Sequence, residues 1–235
     1  MACAEEEGDV KVLTNWRSMF GMRVLIALNE KGVVYHCQEE DLPDHKSQLL
    51  LHSNPVHQKI PVLLHQGQPI CESLIIVQYI DETWPSHDKP FLPVDPYDRA
   101  LSRFWADYVD EKVFNAGALI FMSLEGPAME QGKRDLLECM ATLDAALRDV
   151  FGGGQYFGGM DINMVDISLA PFICWFEAYE TLGKFKLVEE NTCPHLFRWA
   201  QTVTQHPSVK KGISNAPPDK VLASALMLRK RFLGV

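Results

Sequence analysis

Long hydrophobic runs are missing from this chain. Its apolar stretches fall well short of the roughly 20 residues that a membrane-spanning helix needs, so no such span is expected. Basic residues are outnumbered: Lys and Arg total 22 against 31 Asp and Glu, a net charge of -9. An acidic chain makes a poor partner for phosphate, which argues against nucleic acid as the main ligand. The local exceptions, Lys210-Lys211 and Arg229-Lys230-Arg231, are short and read as charges at helix ends that complement the helix dipole. The six cysteines contain no C-x-x-C pair. The acidic segment Met1 to Asp9 lacks the apolar core of a secretory signal and is expected to be disordered. Reduced thiols and a cytoplasmic location follow as expectations. His52, His57 and His65 match no metal-ligand spacing, and no metal is expected. There is no G-x-S-x-G nucleophile turn. The glycine-rich stretch Gly152 to Gly159 lacks the Lys-Ser/Thr ending of a phosphate loop and reads as a connection between helices.

What is present begins with an α/β pattern. Val10 to Leu13 reads as a strand. Phe20, Val24, Ala27 and Leu28 mark a helix that Gly32 ends, and Val33 to Cys37 reads as a second strand. A short helical piece over Ser47 to His52 precedes the apolar run from Pro61 to His65. A turn at Gln66-Gly67-Gln68-Pro69 and a helix over Ser73 to Thr83 follow. The order β-α-β-α-β-β-α describes a small mixed sheet covered by helices. From Trp84 the composition changes to a proline-rich connector, the clearest domain boundary in the chain. Domains are therefore expected at 1–84 and 95–235, joined by a linker over 85–94. The second is all helical. Asp95-Pro96 opens a helix expected to run past Met122, followed by helices over Pro127 to Val150, Val165 to Leu182, Pro194 to Gln205, Pro207 to Gly212 and Pro218 to Arg231. Asn163-Met164-Val165-Asp166 has the form of a capping box.

The segment Lys59 to Ser73 carries most of the recognisable chemistry. It offers a basic residue, a proline opening a strand, and a Glu-Ser pair where a helix begins. Free N–H groups and a hydroxyl at that helix start suit a carboxylate, and the neighbouring Glu72 suits a cation. Together they fit a small zwitterion with an extra carboxylate. Taken singly, each has a plainer reading: Lys46 and Lys59 as solvated lysines, Glu72-Ser73 as an ordinary helix start, and Pro61 as a trans proline. Ser18, at the start of the first helix, is either a simple N-cap or a hydroxyl aimed at a ligand sulfur. A thiol with a pKa near ~8.5 is only a few per cent ionised at neutral pH, and lowering it by ~2 units takes roughly 2.7 kcal/mol. Phe104, Trp105, Tyr108, Phe172, Trp175 and Phe176 are core residues by default, a minority of them available to line an apolar cleft.

In combination these features resemble the cytosolic glutathione transferases, most closely the plant tau class. The resemblance rests on Trp16-Arg17-Ser18-Met19-Phe20-Gly21-Met22-Arg23, on Glu39 to Leu42, on Asn54 to Leu63, on Ile70 to Glu82, and on Phe104-Trp105-Ala106-Asp107-Tyr108. It implies a thioredoxin-like N-terminal domain, an all-α C-terminal domain and a homodimer. It further implies that Ser18 stabilises the glutathione thiolate and that Lys46 and Lys59 hold the glycyl carboxylate. Ile60, before a cis Pro61, would pair with the cysteinyl backbone, and Glu72 and Ser73 would hold the γ-glutamyl ammonium and carboxylate. Phe20, Tyr108 and Trp175 become candidate walls for an electrophile in a cleft between domains. Reduced glutathione is implied as co-substrate, with no permanently bound cofactor. Met19 stands where the family carries proline, and Pro43-Asp44-His45 differs from the family in length. The implied activity is conjugation of glutathione to hydrophobic electrophiles in detoxification, with reduction of organic hydroperoxides beside it. Two readings compete: a non-catalytic glutathione-dependent ligand carrier, and a glutathione-dependent thiol reductase using Cys37 or Cys71.

Overall fold

A computed structural model of the chain describes residues 9–86 and 89–234. Cys3, nearly all of the acidic N-terminal segment, and His87-Asp88 of the proline-rich connector lie outside the described residues. The chain divides into two compact units, Met1–Asp88 and Lys89–Val235.

The first unit is a four-stranded mixed sheet with strand order β2-β1-β3-β4. Its elements are β1 (Val10–Thr14), α1 (Met19–Glu30), β2 (His36–Glu39), α2 (Gln48–Ser53), β3 (Val62–His65), β4 (Gln68–Cys71) and α3 (Ser73–Thr83). β1 runs parallel to β2 and antiparallel to β3, and β3 forms a hairpin with β4. This is the thioredoxin-like order that the sequence pattern implies. Leu13, Leu50 and Val62 are fully buried and form a core on which Ile60 and Leu64 pack. α1 lies close on β1, because a Cβ at position 21 would fall 1.9 Å from Thr14 Oγ1, and glycine alone fits. α1 and α3 are tied at their far ends by an ion pair of 2.7 Å between Lys31 and Asp81, both largely buried.

One strand departs from expectation. Val33 and Val34 are not in β2, which starts at His36. The Val33 amide donates to Leu28 O and the Lys31 amide to Ala27 O, so the helix terminus consumes the backbone groups that a strand needs. Val34 is left 83% exposed.

The second unit is helical: α4 (Pro96–Tyr108), α5 (Asn115–Met122), α6 (Pro127–Asp149), α7 (Met164–Leu169), α8 (Ile173–Gly183), α9 (Pro194–Val203), α10 (Pro207–Gly212) and α11 (Pro218–Leu233). The first long helix ends at Met122, where Ser123 turns extended, and a π-helical turn over Val109–Phe114 joins α4 to α5. The single helix expected over Val165 to Leu182 is split by a 3-10 turn at Ala170–Phe172, centred on Pro171, which has no N–H to donate. Remote side chains cap several helix ends. Asp144 accepts from the His195 and Leu196 amides at the start of α9, and Arg229 donates to Ile120 O and Phe121 O at the end of α5. The capping box at Asn163 and Asp166 is present. Asp166 also takes the Phe157 and Gly158 amides and the Trp199 indole N–H. Burial pushes its carboxyl up to about 6, against these donors, which favour the ionised form.

Candidate active site

The strand register gathers the candidate residues of the first unit at one end of the sheet. Thr14 pairs with Glu39 in the parallel ladder, so β1 and β2 both finish at that end. Leu13 pairs with Val62 and Val62 with Cys71 in the antiparallel ladders, so β3 begins there and β4 finishes there. Four segments therefore emerge together: the loop to Ser18, the connection carrying Lys46, the approach Lys59-Ile60-Pro61, and Glu72-Ser73. The outer end of an open α/β sheet, beyond the carboxyl ends of its strands, is where such folds receive ligands.

Ser18 is the N-cap of α1, with extended backbone (φ -75, ψ 107), and its Oγ accepts from the Gly21 amide at 3.1 Å. The loop beneath it is closed by Ser18 N–H donating to Asn15 O at 2.8 Å, with Met19 as the first helical residue. Asn15 Nδ2 donates to Glu40 O, Trp16 N–H to Glu39, and Arg17 Nη2 to Leu42 O, fastening this loop to the segment after β2. That segment is itself held by Glu40, whose buried carboxylate accepts both the amide and the hydroxyl of Ser47 at 2.9 and 2.7 Å.

Lys46 and Lys59 are exposed, and neither ammonium has a partner among the described residues. Lys59 sits on a loop shaped by Asn54, which is buried; its Nδ2 donates to Lys59 O at 2.9 Å and its Oδ1 accepts the His57 amide. Ile60 is half-buried just ahead of β3, and the Ile60–Pro61 bond is cis, as is Leu42–Pro43. Ser73 opens α3, 6% exposed, and its Oγ accepts from Arg23 Nη1 at 3.1 Å.

Glu72 is the most unusual residue of the set. It occupies the N-cap position of α3 but makes no side-chain cap hydrogen bond. Its backbone stands at φ 71, ψ 117, a region that side-chain-bearing residues avoid at a cost of about 1–3 kcal/mol. Its carboxylate is 55% exposed, with His57 Nε2 at 4.0 Å. The helix therefore gains no hydrogen bond from this carboxylate, which stays open to solvent beside His57.

Of the remaining candidates, Phe20 belongs to the first unit and Tyr108 and Trp175 to the second. Phe20 is half-buried on α1, with the Arg23 guanidinium 5.0 Å from its ring centre. Tyr108, at the end of α4, is half-buried beside a cavity of about 600 Å³ that Lys112, Asn115, Cys139 and Thr142 also line. Burial, against a hydrogen bond with Thr142 and with smaller contributions from Cys139 and Glu138, pushes its hydroxyl up to about 12, so it is a neutral donor at physiological pH. Trp175 is 8% exposed and packs on Phe121 and Tyr179, with ring centres 5.9 and 6.1 Å away. Neither thiol named for a reductase sits at the start of α1. Cys37 is on β2 and Cys71 on β4, and burial, followed by nearby Glu39 and Glu72 respectively, pushes both upward. A reactive thiol needs the opposite shift. No group of three or more candidate metal ligands occurs among the described residues.

A family model described as glutathione S-transferase, N-terminal domain, matches residues 8–82. The chain is 46% identical over 224 residues to the probable glutathione S-transferase parC of Nicotiana tabacum, covering 95% of this chain and 97% of that one. It is also 46% identical over 225 residues to glutathione S-transferase U19 of Arabidopsis thaliana, with 96% and 98% covered. Among solved structures, the tau-class glutathione S-transferase of mango, Mangifera indica, matches with a TM-score of 0.87 at 41% identity, over 94% of this chain and 99% of that one. A rice glutathione S-transferase in complex with glutathione matches with a TM-score of 0.86 at 41% identity, over 96% and 100%. With this sheet, this site and these relatives, the chain belongs to the glutathione S-transferase family. Within that family it is a plant tau-class transferase.

The strain at Glu72 gives a test in which stability and binding move oppositely. Glu72→Gly is expected to leave the melting temperature unchanged or raise it, because glycine tolerates φ 71, while weakening glutathione binding by about tenfold or more. Calorimetric titration and thermal melting check both. An unchanged affinity, or a fall in melting temperature large enough to explain the loss, contradicts the assignment.

Proposed function

We propose that the chain conjugates reduced glutathione to small hydrophobic electrophiles, as a detoxifying enzyme. The observation that carries this reading is the state of the Ser18 hydroxyl. As cap it accepts the Gly21 amide, which occupies one lone pair, and its own proton has no acceptor among the described residues. Capping and thiolate stabilisation are therefore compatible roles for one hydroxyl, and the positive end of the twelve-residue α1 adds to the second.

In the proposed binding mode the glycyl carboxylate meets Lys46 and Lys59, and the cysteinyl backbone pairs with Ile60 beside Pro61. The γ-glutamyl ammonium meets Glu72, and its carboxylate meets Ser73 and the start of α3. This places the glutathione site in the first unit, proposed as 1–84, while the helical domain proposed as 95–235 contributes to electrophile binding; 85–94 joins them. Phe20 and Tyr108 are the candidate contacts of the electrophile, with Trp175 in support. The thiol loses its proton to solvent, the thiolate bonds to the electrophilic carbon, and the leaving group departs with its electron pair. Metal chemistry is not required, since activation and proximity suffice. Reduction of organic hydroperoxides by the same thiolate is a secondary activity. A cytoplasmic location accords with five free thiols among the described residues.

We further propose a homodimer. Tyr97 and Phe104, two turns apart on one face of α4, are 71% and 57% exposed, an apolar stripe suited to a second copy. Sedimentation is expected to report about twice the chain mass of 26.6 kDa, and Tyr97→Glu with Phe104→Glu to halve it. A wild-type mass of one chain contradicts the dimer.

For the chemistry, Ser18→Ala is expected to lower kcat/KM for an aromatic halide by about 100-fold, the equivalent of ~2 pKa units. The lost cap alone costs about 1 kcal/mol of stability. Ser18→Thr, which keeps a hydroxyl, is expected to retain most of the rate. Ser18→Ala rates within a factor of about two of wild type remove Ser18 from this role.

A further inference from the structure

The sheet of the first unit is covered unevenly on the side where α2 packs. Residues paired across a ladder share a face, as do alternate residues along a strand. Leu13, Val62 and Cys71 form one such row, and Leu50 of α2 packs on it. The next row on the same face is Lys11, Leu64 and Pro69, paired in the same order. α2 has only six residues, about 9 Å of helix, and it leaves this second row open.

The result is an open recess of about 490 Å³, a volume in the range of small-molecule sites. Leu64 and Pro69 form its floor. Leu49, His52 and Ser53, three and four residues apart on one face of α2, form a side. The recess lies where β1 and β4 begin and β3 ends, so it occupies the opposite end of the sheet from Ser18, Lys59 and Glu72. None of the residues assigned to glutathione lines it.

Two polar groups say what the recess can hold. Ser53 is only 7% exposed; its carbonyl accepts from the Cys71 thiol, while its hydroxyl has no hydrogen-bond partner among the described residues. Buried hydroxyls are nearly always bonded, so this one is a donor in search of an acceptor. Lys11 is half-buried on β1, in the middle of the sheet. It has interactions of its own in the fold, yet its position beside apolar side chains strengthens its pull on an anion relative to a solvated lysine. Asp9 is the acid on the rim, and it is exposed. One ammonium and one hydroxyl match a single negative charge, and the floor beside them is apolar.

We propose that this recess is a second small-molecule site, one that takes an aromatic monocarboxylic acid. The carboxylate meets Lys11 and accepts the Ser53 proton, and the ring lies on Leu49, Leu64 and Pro69. The site is separate from the glutathione site and does not depend on that assignment.

The probe is naphthoate, titrated into the isotope-labelled full chain with S-hexylglutathione in excess and followed by amide chemical shifts. Naphthylmethanol and naphthylmethylamine, of nearly equal size, serve as neutral and cationic controls. Naphthoate is expected to shift amides of residues 49–53 and 64–67 and to bind at least fivefold more tightly than either control. Ser53→Ala is expected to weaken it about fivefold while leaving the melting temperature unchanged or raised, because the variant removes an unbonded hydroxyl. Lys11→Met, which keeps the apolar stem, is expected to weaken it about tenfold. Leu49→Trp, which fills the recess from α2, is expected to abolish binding and carries the comparison if Lys11→Met does not fold. No shift at any soluble concentration, or shifts centred on Ser18 and Tyr108 instead, overturns the site. An amine that binds as tightly as the acid overturns the ligand class. Unchanged affinity in Ser53→Ala and Leu49→Trp overturns the binding mode, and a fall in melting temperature in Ser53→Ala assigns that hydroxyl to the fold instead.

Discussion

A hydroxyl held as an acceptor still has a proton to give, and the proposed glutathione site depends on that asymmetry. Ser18 accepts from the Gly21 amide and Ser73 from the Arg23 guanidinium. Each is fixed by a donor, and neither has an acceptor for its own proton among the described residues. Ser47 shows the contrast. It caps α2 by accepting the Leu50 amide, as Ser18 caps α1, but its proton goes to Glu40 at 2.7 Å. Three serines begin or cap three helices, and hydrogen-bond accounting separates Ser47, whose proton is used within the fold, from Ser18 and Ser73, whose protons remain for the proposed ligand.

The rest of the first unit fixes where those protons point. The ladders bring four connections to one end of the sheet, and buried polar groups then hold each connection. Glu40 anchors the segment before α2, Asn54 the loop carrying Lys59, and Asn15 the loop ahead of Ser18. The close approach of Gly21 to Thr14 sets the depth of α1 on β1. Glu72 is the exception to this economy: its backbone remains in an unfavourable region with no cap hydrogen bond in return. Local rules are most often broken where function demands it.

Much of this was legible in the chain because the signals were local. Asp95-Pro96 opened α4, the box at Asn163 and Asp166 opened α7, and the period of Leu74, Val77 and Ile80 placed α3 at Ser73–Thr83. The thioredoxin-like order followed from turns and short apolar runs. Failures came where one group served two purposes. Val33 had strand propensity but was drawn into the end of α1, and a π-helical turn at Val109–Phe114 interrupted a helix whose composition is continuous. Within the site, Ser18, Lys59 and Glu72 sat in recognisable motifs. Arg23, Asn54 and Glu40 stand in the same motifs, yet nothing in those motifs shows what each side chain binds. Their work is done across 50, 5 and 7 residues of sequence, and only folding reveals their partners. Trp175 reads the same as any cleft aromatic, and its edge-to-face contact with Phe121 and tilted contact with Tyr179 are not visible in the sequence either.

The central claim is that the enzyme stabilises a thiolate through a hydroxyl already held in place. Thiolate absorbance of bound glutathione, followed against pH in a binary complex without electrophile, tests it most directly. The account predicts an apparent pKa for the bound thiol about 2 units below the free value of ~8.5, returning towards that value when Ser18 is alanine. A wild-type complex whose bound thiol titrates at the free value would contradict it.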